Sequence, residues 1–458
     1  MSNNKLIEKF NSLTLESEDH WDYRGKNNSE RDFVHGFCTY PAMMVPKMQR
    51  EMLEVCLEEM TEKNLQLLDP FAGSGTILVE GMLKGLDVTG IDINPLAVLL
   101  CKVKTTIIDI EVLEDAAKRL FNRINTMGEI PPHSFKGISK WFTQRAISDL
   151  SCIRVAVKNE SLLEVRRFFW ATFCEIVRIV SNSRDCTYKL HIKEQADIDA
   201  YNKNAIELFE ETLMYNIRKY KEFYHTLKQR GLIKRDGCSY KGNVRVILGD
   251  TVSYLRHSKK KYNLIFTSPP YGDNHTTVSY GQYSVMPLRW IDCKDIDEAI
   301  DEHLLDTLFE IDNISLGGKS SDKYITPAKR RVVNKSQTLN RQVNEITDNA
   351  PKQVNKLISF YSDYDNFLSA ISKKMKPNAI SVWTLGNRKV AKQEIFMNRI
   401  MIELGSKHDL TLLTSFTRKI LKKRMPEINA HKGEEKGLQS TMTREHILIF
   451  VKDGSLNE

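Results

Sequence analysis

Two short runs in this 458-residue chain carry the residue types that group-transfer chemistry needs. In the first, DPFAGSGT (residues 69–76), Gly73 and Gly75 let backbone approach a ligand at a strand-to-helix turn. Asp92 follows 17 residues after Gly75, at the end of the next strand. A carboxylate placed there can grip the diol of a ribose, so the layout holds a nucleoside. Taken alone, G-x-G also occurs as a plain tight turn, with Asp92 and Asn94 merely opening the next one.

The second run is TSPPYGDN, residues 267–274. Two consecutive prolines donate no backbone hydrogen bonds and hold the chain extended, which fixes the direction of nearby carbonyl acceptors. Just past a buried strand, Ser268 offers a hydroxyl, Pro269 a carbonyl and Tyr271 a flat face. An exocyclic amine on a planar base fits this set: two N–H donors meet two acceptors while the ring stacks. For the tetrapeptide alone, a Pro-Pro turn with a surface tyrosine is the commoner reading.

The elements that must position these residues read as an α/β sheet. Leu65 to Leu68 is a strand, Thr76 to about Lys84 a helix ending at Gly85, and Asp87 to Ile91 a second strand. From residue 106 long helical patterns take over. Ile206, Phe209, Leu213, Ile217, Tyr220, Tyr224 and Leu227 recur at helical spacing, and Gly231 closes that run. The sheet resumes at Val244 to Asp250, followed by a short helical TVSYL and a buried strand, Tyr262 to Phe266. Further strands are predicted at Ile380 to Leu385 and Glu445 to Val451.

Between Asp292 and Asp312 the composition is acidic. It then turns basic: Gly317 to Lys356 holds nine Lys/Arg against three Asp/Glu, a local charge of +6, and reads as a mobile basic loop. A second basic run is RKILKKR, Arg418 to Arg424.

The whole chain carries +8 with pI near 8.8, which suits a polyanionic partner without requiring one. Its 41% apolar content excludes wholesale disorder, and its mean hydropathy of −0.39 fits the absence of any bilayer-length apolar run. The start, MSNNKLIEKF, lacks the apolar core of a secretion signal, so a cytoplasmic, membrane-free protein is expected. Eight cysteines without a C-x-x-C pair argue against zinc and against a disulfide framework, and no metal is expected.

Together, DPFAGSGT, IDINP, VILGD and TSPPY, in that order, resemble the S-adenosylmethionine-dependent DNA amino-methyltransferases of restriction-modification systems. The resemblance extends to HGFCTYPAMMVP (His35 to Pro46), WTLGNRKV from Trp383 and the closing TMTREHILIF. Ser before Pro-Pro-Tyr is the variant associated with cytosine N4. The resemblance implies an open, mostly parallel Rossmann-like methyltransferase sheet with a large helical insertion and a basic loop insertion. The corresponding segments are 1–60, covering the cofactor; 61–105, the first part of the sheet; 106–240, the helical insertion, a candidate for DNA recognition; 241–285, the second part with TSPPY; 286–360, an acidic then basic insertion, a candidate DNA contact; and 361–458, the last part of the sheet.

Carried over residue by residue, the resemblance implies that Asp69, Phe71, Gly73 and Gly75 line the methionine side of S-adenosyl-L-methionine. Asp92 binds its ribose, Asp250 lies near its adenine amine, and Tyr40 and Pro41 close over the methionine end. Ser268, Pro269, Pro270 and Tyr271 form the target-base site. The implied partner is double-stranded DNA, whose cytosine is flipped out and stacked on Tyr271, with phosphates held by basic segments including Lys329, Arg330 and Arg331. A cognate restriction endonuclease acting on the same site is a candidate further partner. Adenine-N6 methylation, RNA methylation and an inactive DNA-binding module stand as alternatives. The long helical stretch departs from the pattern and leaves the sequence-recognising segment unassigned.

Overall fold

Seven strands build one sheet: β1 (Gln66–Asp69), β2 (Asp87–Asp92), β3 (Val244–Leu248), β4 (Tyr262–Thr267), β5 (Met375–Gly386), β6 (Leu410–Lys419) and β7 (Arg444–Lys452). The structure is a computed structural model. It describes residues 3–15, 21, 31–184, 188–200, 203–274, 277–318, 325–347, 350–420, 428–429, 439–440 and 444–454. The strand order is β3-β2-β1-β4-β5-β7-β6. β1 to β5 run parallel where they pair, and β7 lies antiparallel to both of its neighbours. This is the open, mostly parallel Rossmann-like sheet expected.

Why these runs are strands is visible in how they bury their side chains. Leu67, Leu264 and Ile447 face one apolar layer, while Leu68, Ile265 and Leu448, each one residue further on, face the other. A strand covered on both faces reads as a continuous apolar run, and a period of two sends neighbours to opposite sides. The first layer holds the helical insertion, with helices Ile110–Thr126, Gln144–Lys158, Leu163–Ile179 and Ala205–Gln229. The last of these is capped by Asn204 accepting from Ile206 N and Glu207 N, and the chain leaves it through Gly231 at φ +68°. The second layer is built largely on helix Pro351–Ser372.

Two expectations are corrected. The basic segment is not a loop where it is described: Pro327–Arg330, Arg331–Lys335 and Gln337–Thr347 are helical, and Pro351 starts the next helix. Leu339, Val343 and Ile346 sit at i, i+4 and i+7 and are buried with Val332 and Val333, so an apolar stripe overrides the charge density. Residues 319–324, including Lys319 and Lys323, lie outside the described residues. The run Arg418 to Arg424 begins inside β6, a strand the sequence reading lacked, and residues 421–424 lie outside the described residues. β6 is a sheet edge whose residues are mostly half-buried or exposed and include three threonines, which gives a weak apolar signal.

Candidate active site

The order of the sheet brings the two chemical runs together. β1 and β4 are hydrogen-bonded neighbours, Leu67 opposite Leu264 and Leu68 opposite Ile265. The turns leaving their C-terminal ends, DPFAGSGT and TSPPY, therefore emerge side by side where the strand order reverses. Open α/β sheets bind ligands in that crevice. Thr267 Oγ1 donates to Asp69 Oδ1 at 2.8 Å, tying the two turns at their roots.

A cleft of about 950 Å³, its open mouth included, lies over these ends. Tyr40, Pro41, Phe71, Gly73, Asp92, Asp250, Ser268 and Pro270 all line it. Asp69, Gly75, Pro269 and Tyr271 do not. Ser268 and Gly73 thus share one cavity, although nearly two hundred residues separate them in the chain.

Each wall has a local cause. Gly73 adopts φ +49°, which disfavours a side chain, and its N–H donates to Asp92 Oδ2 at 2.8 Å. Asn94 N donates to Asp92 Oδ1 at 2.8 Å. With three backbone N–H groups on about four lone-pair sites, the carboxylate keeps acceptor capacity for a ligand hydroxyl. Burial pushes the Asp92 carboxyl up to about 6, against the pull of the N–H groups of Asn94, Gly73 and Ile93. Asp250 caps helix Thr251–His257 by accepting from Ser253 N at 2.7 Å, which sets its carboxylate at the rim beyond β3.

Two expected ligand residues lie beneath the cleft rather than in its lining. Asp69 is wholly buried, and its Oδ1 also accepts from Phe71 N at 3.1 Å. Burial pushes it up to about 7, opposed by those two hydrogen bonds, while the nearby Asp92 charge raises it further. Gly75 is the left-handed residue at the start of helix Thr76–Leu83, φ +77°, where a Cβ would meet Cys101 Sγ at 3.1 Å. Both shape the turn from beneath. Lys104 reinforces it: buried, and drawn down to about 8 by that burial, its ammonium donates to Ser74 O at 2.9 Å and His35 O at 3.4 Å.

Tyr271, expected as a stacking face, is not among the residues lining the cleft. Its hydroxyl lies 3.2 Å from Ser268 Oγ and donates to Glu445 Oε1 at 3.3 Å. Glu445, on β7, is held by Arg418 from β6, whose Nε and Nη2 reach Oε2 at 2.7 and 2.6 Å.

The sequence reading also missed several wall residues. Ile311, Ile314, Ser315 and Leu316 come from the end of the acidic segment and line the cleft. Helix Glu310–Ile314 turns Ile311 inward, a placement the charge count hid. Asn274 also lines it, 2% exposed, with an Oδ1 that accepts no hydrogen bond among the described residues. It stands inside the quoted TSPPYGDN run, so the signal was present but unassigned.

The helical insertion reaches the same cleft indirectly. Glu175 accepts from Thr39 N at 2.8 Å and Thr39 Oγ1 at 2.9 Å, and Tyr283 donates to Thr39 O at 2.5 Å. Thr39 is thereby pinned next to Tyr40, whose hydroxyl accepts from Asn94 Nδ2 at 3.1 Å. Asp32, His35 and Glu80 also gather within 4.8 Å of one another. Arg50 already donates to both carboxylates, so the group is an ion-pair network holding the N-terminal segment. Lys329 donates to Ser359 Oγ at 2.8 Å, whereas Arg330 and Arg331 are exposed.

A seven-stranded sheet with one antiparallel strand, β7, set between β5 and the edge strand β6, and with a glycine turn and an acid at the ends of its central strands, defines a Rossmann-like methyltransferase class. No family model matches the chain. It is 31% identical over 461 residues to the type II methyltransferase M.MvaI of Kocuria varians, covering 98% of each sequence. It is 32% identical over 106 residues to the type II methyltransferase M.MjaII of Methanocaldococcus jannaschii, covering 22% of this chain and 19% of that one. An rRNA methyltransferase from Streptomyces viridochromogenes, 10% identical, covers 90% of this chain and 86% of its own, with a TM-score of 0.30. The full-length likeness shows that the chain belongs to the type II methyltransferases. Among the described residues no helix is long and apolar enough to cross a membrane.

Proposed function

We propose that this protein methylates the exocyclic N4 of a cytosine flipped out of duplex DNA, using S-adenosylmethionine, as the modifying half of a restriction-modification system. The observation that carries the reading is the shared cleft: the hydroxyl of Ser268 and the glycine turn of Gly73 with Asp92 line one cavity. The residues fit the cofactor, since a half-buried acid at the end of β2, with acceptor capacity left beyond its backbone N–H partners and facing the cleft, suits a ribose hydroxyl. When bound, S-adenosylmethionine supplies an electrophilic methyl group on a sulfonium.

The chain's own residues do the rest. Cytosine N4 is a weak nucleophile because its lone pair is delocalised into the ring, so it must be aimed at the methyl group and held there. Ser268 Oγ accepts one N–H, which favours a pyramidal nitrogen and stabilises the positive charge that develops on it. Asn274 Oδ1, buried and without a hydrogen-bond partner among the described residues, is an acceptor for the second N–H in place of the Pro269 carbonyl, since Pro269 is buried and does not line the cleft. Flipping the base costs roughly a few kcal/mol, offset by contacts in the cleft. Tyr40, Phe71 and the Ile311–Leu316 segment supply its apolar walls.

The test is direct. DNA methylated by the protein, digested to nucleosides, should contain N4-methylcytosine, and N6-methyladenine in its place would overturn the base assignment. Ser268→Ala should slow single-turnover methyl transfer by about tenfold to a hundredfold while leaving cofactor affinity nearly unchanged. Full turnover in that variant would remove the amine-acceptor role.

A further inference from the structure

The hydroxyl of Ser268 does not stand alone. Its Oγ lies 3.2 Å from Tyr271 Oη, which in turn donates to Glu445 Oε1 at 3.3 Å. Both Arg418 contacts go to the other carboxylate oxygen, Oε2, at 2.7 and 2.6 Å, leaving Oε1 to face Tyr271. Glu445 and Arg418 are each largely covered, with side chains 15% and 11% exposed, so the pair is a fixed feature of the sheet. The three links come from the end of β4 and from β7 and β6, segments far apart in sequence.

We infer that Glu445 and Tyr271 are positioning residues that set the direction of the Ser268 hydroxyl, a role that rests on the amine-acceptor reading of Ser268. The argument is one of donor and acceptor counting. A carboxylate only accepts, and it is the stronger acceptor, so the single Tyr271 proton goes to Glu445. Tyr271 Oη is then an acceptor toward Ser268, and the serine proton points to it. With its only proton committed, Ser268 Oγ presents nothing but lone pairs to the cleft. An amine whose N–H groups must be accepted needs that orientation, and a serine free to rotate would turn its proton toward the amine for part of the time. Both O···O distances exceed the usual value of about 2.7 to 2.8 Å, and such contacts commonly tighten when the ligand is bound. No proton leaves the chain and no bond is broken in this relay; it orients.

The same geometry redefines Tyr271. A stacking plate would act through its ring, which phenylalanine retains; the relay acts through its oxygen, which phenylalanine lacks.

Single-turnover methyl transfer from tritiated S-adenosylmethionine to unmethylated plasmid DNA carrying the recognised site separates the two. Tyr271→Phe should slow the step about tenfold, the worth of one well-placed hydrogen bond, with the KM for S-adenosylmethionine unchanged. Glu445→Gln should do the same, because its one oxygen stays on Arg418 and its amide N–H turns to Tyr271, reversing the relay. On a Ser268→Ala background, Tyr271→Phe should cause no further loss, since without the serine hydroxyl there is nothing to orient. A wild-type rate for Tyr271→Phe, or a tenfold loss that persists in the double variant, would overturn the relay. If Ser268→Ala itself runs at the wild-type rate, the amine reading fails. If Ser268→Ala is slow and Tyr271→Phe is not, only the relay fails.

Discussion

At the residue scale the cleft separates groups that meet a ligand from groups that hold the turn. Asp92 and Asp69 were both expected to touch the cofactor, yet Asp92 lines the cavity and Asp69 lies wholly buried beneath it. Sequence spacing located both acids correctly at strand ends. It had no means of telling which oxygen faces solvent, since that depends on Phe71 N and Thr267 arriving on Asp69. The raised value of Asp92, about 6, gives a pH signature. Ribose hydroxyls donate to the ionised form, so cofactor binding should be fully present above pH 6 and should weaken as pH falls through 6 and the free protein takes up a proton. For stability the sign is opposite. The folded value lies above the unfolded value of 3.8, so the folded state binds the extra proton between those limits and this group's contribution falls as pH rises from about 4 to 6. Asp92→Asn should weaken cofactor binding at pH 8 by about tenfold or more and abolish its acid limb, measured by titration calorimetry from pH 5 to 8.

At the scale of elements, the helical insertion supports one wall of the cleft. Helix Leu163–Ile179 sends Glu175 to both polar groups of Thr39, and helix Tyr280–Leu288 sends Tyr283 to its carbonyl. The wall residue Tyr40 follows directly. Glu175→Ala should therefore raise the KM for S-adenosylmethionine by roughly threefold to thirtyfold with a smaller change in kcat, while Glu175→Gln, which can still pair with both Thr39 groups, should recover most of the loss. Equal values for the alanine and wild-type proteins would show that the contact is only structural. Helix Ala205–Gln229 was legible because its apolar residues repeat at helical spacing and Gly231 ends it. The contact from Glu175 to Thr39 spans 136 residues and leaves no periodic trace. The basic segment misled for a related reason: counting charge obscured the stripe Leu339, Val343 and Ile346 that folds it into helices.

For the whole molecule, the net charge of +8 is spread over a surface in which many basic side chains are already paired, such as Arg418 with Glu445 and Lys335 with Asp365. Exposed cations near one another, as at Arg330 and Arg331, remain the candidates for phosphate contact. If both neutralise phosphates, replacing them with serine should flatten the slope of log K against log salt by about two units, measured by fluorescence anisotropy on duplex DNA. An unchanged slope would return them to solvated surface.

By itself the sequence determined the class of sheet, because strands covered on both faces must be continuously apolar and a left-handed turn calls for glycine. It also determined the chemical inventory: the acid after β2, the serine before two prolines, and the glycine bend. Only the tertiary structure decided which of these share a cavity and which lie beneath it. Strand order places β1 beside β4 across nearly two hundred residues, and it brings Glu445 of β7 behind Tyr271. Hydrogen-bond pairing across a sheet is a long-range contact, and no local pattern of side chains encodes its partner.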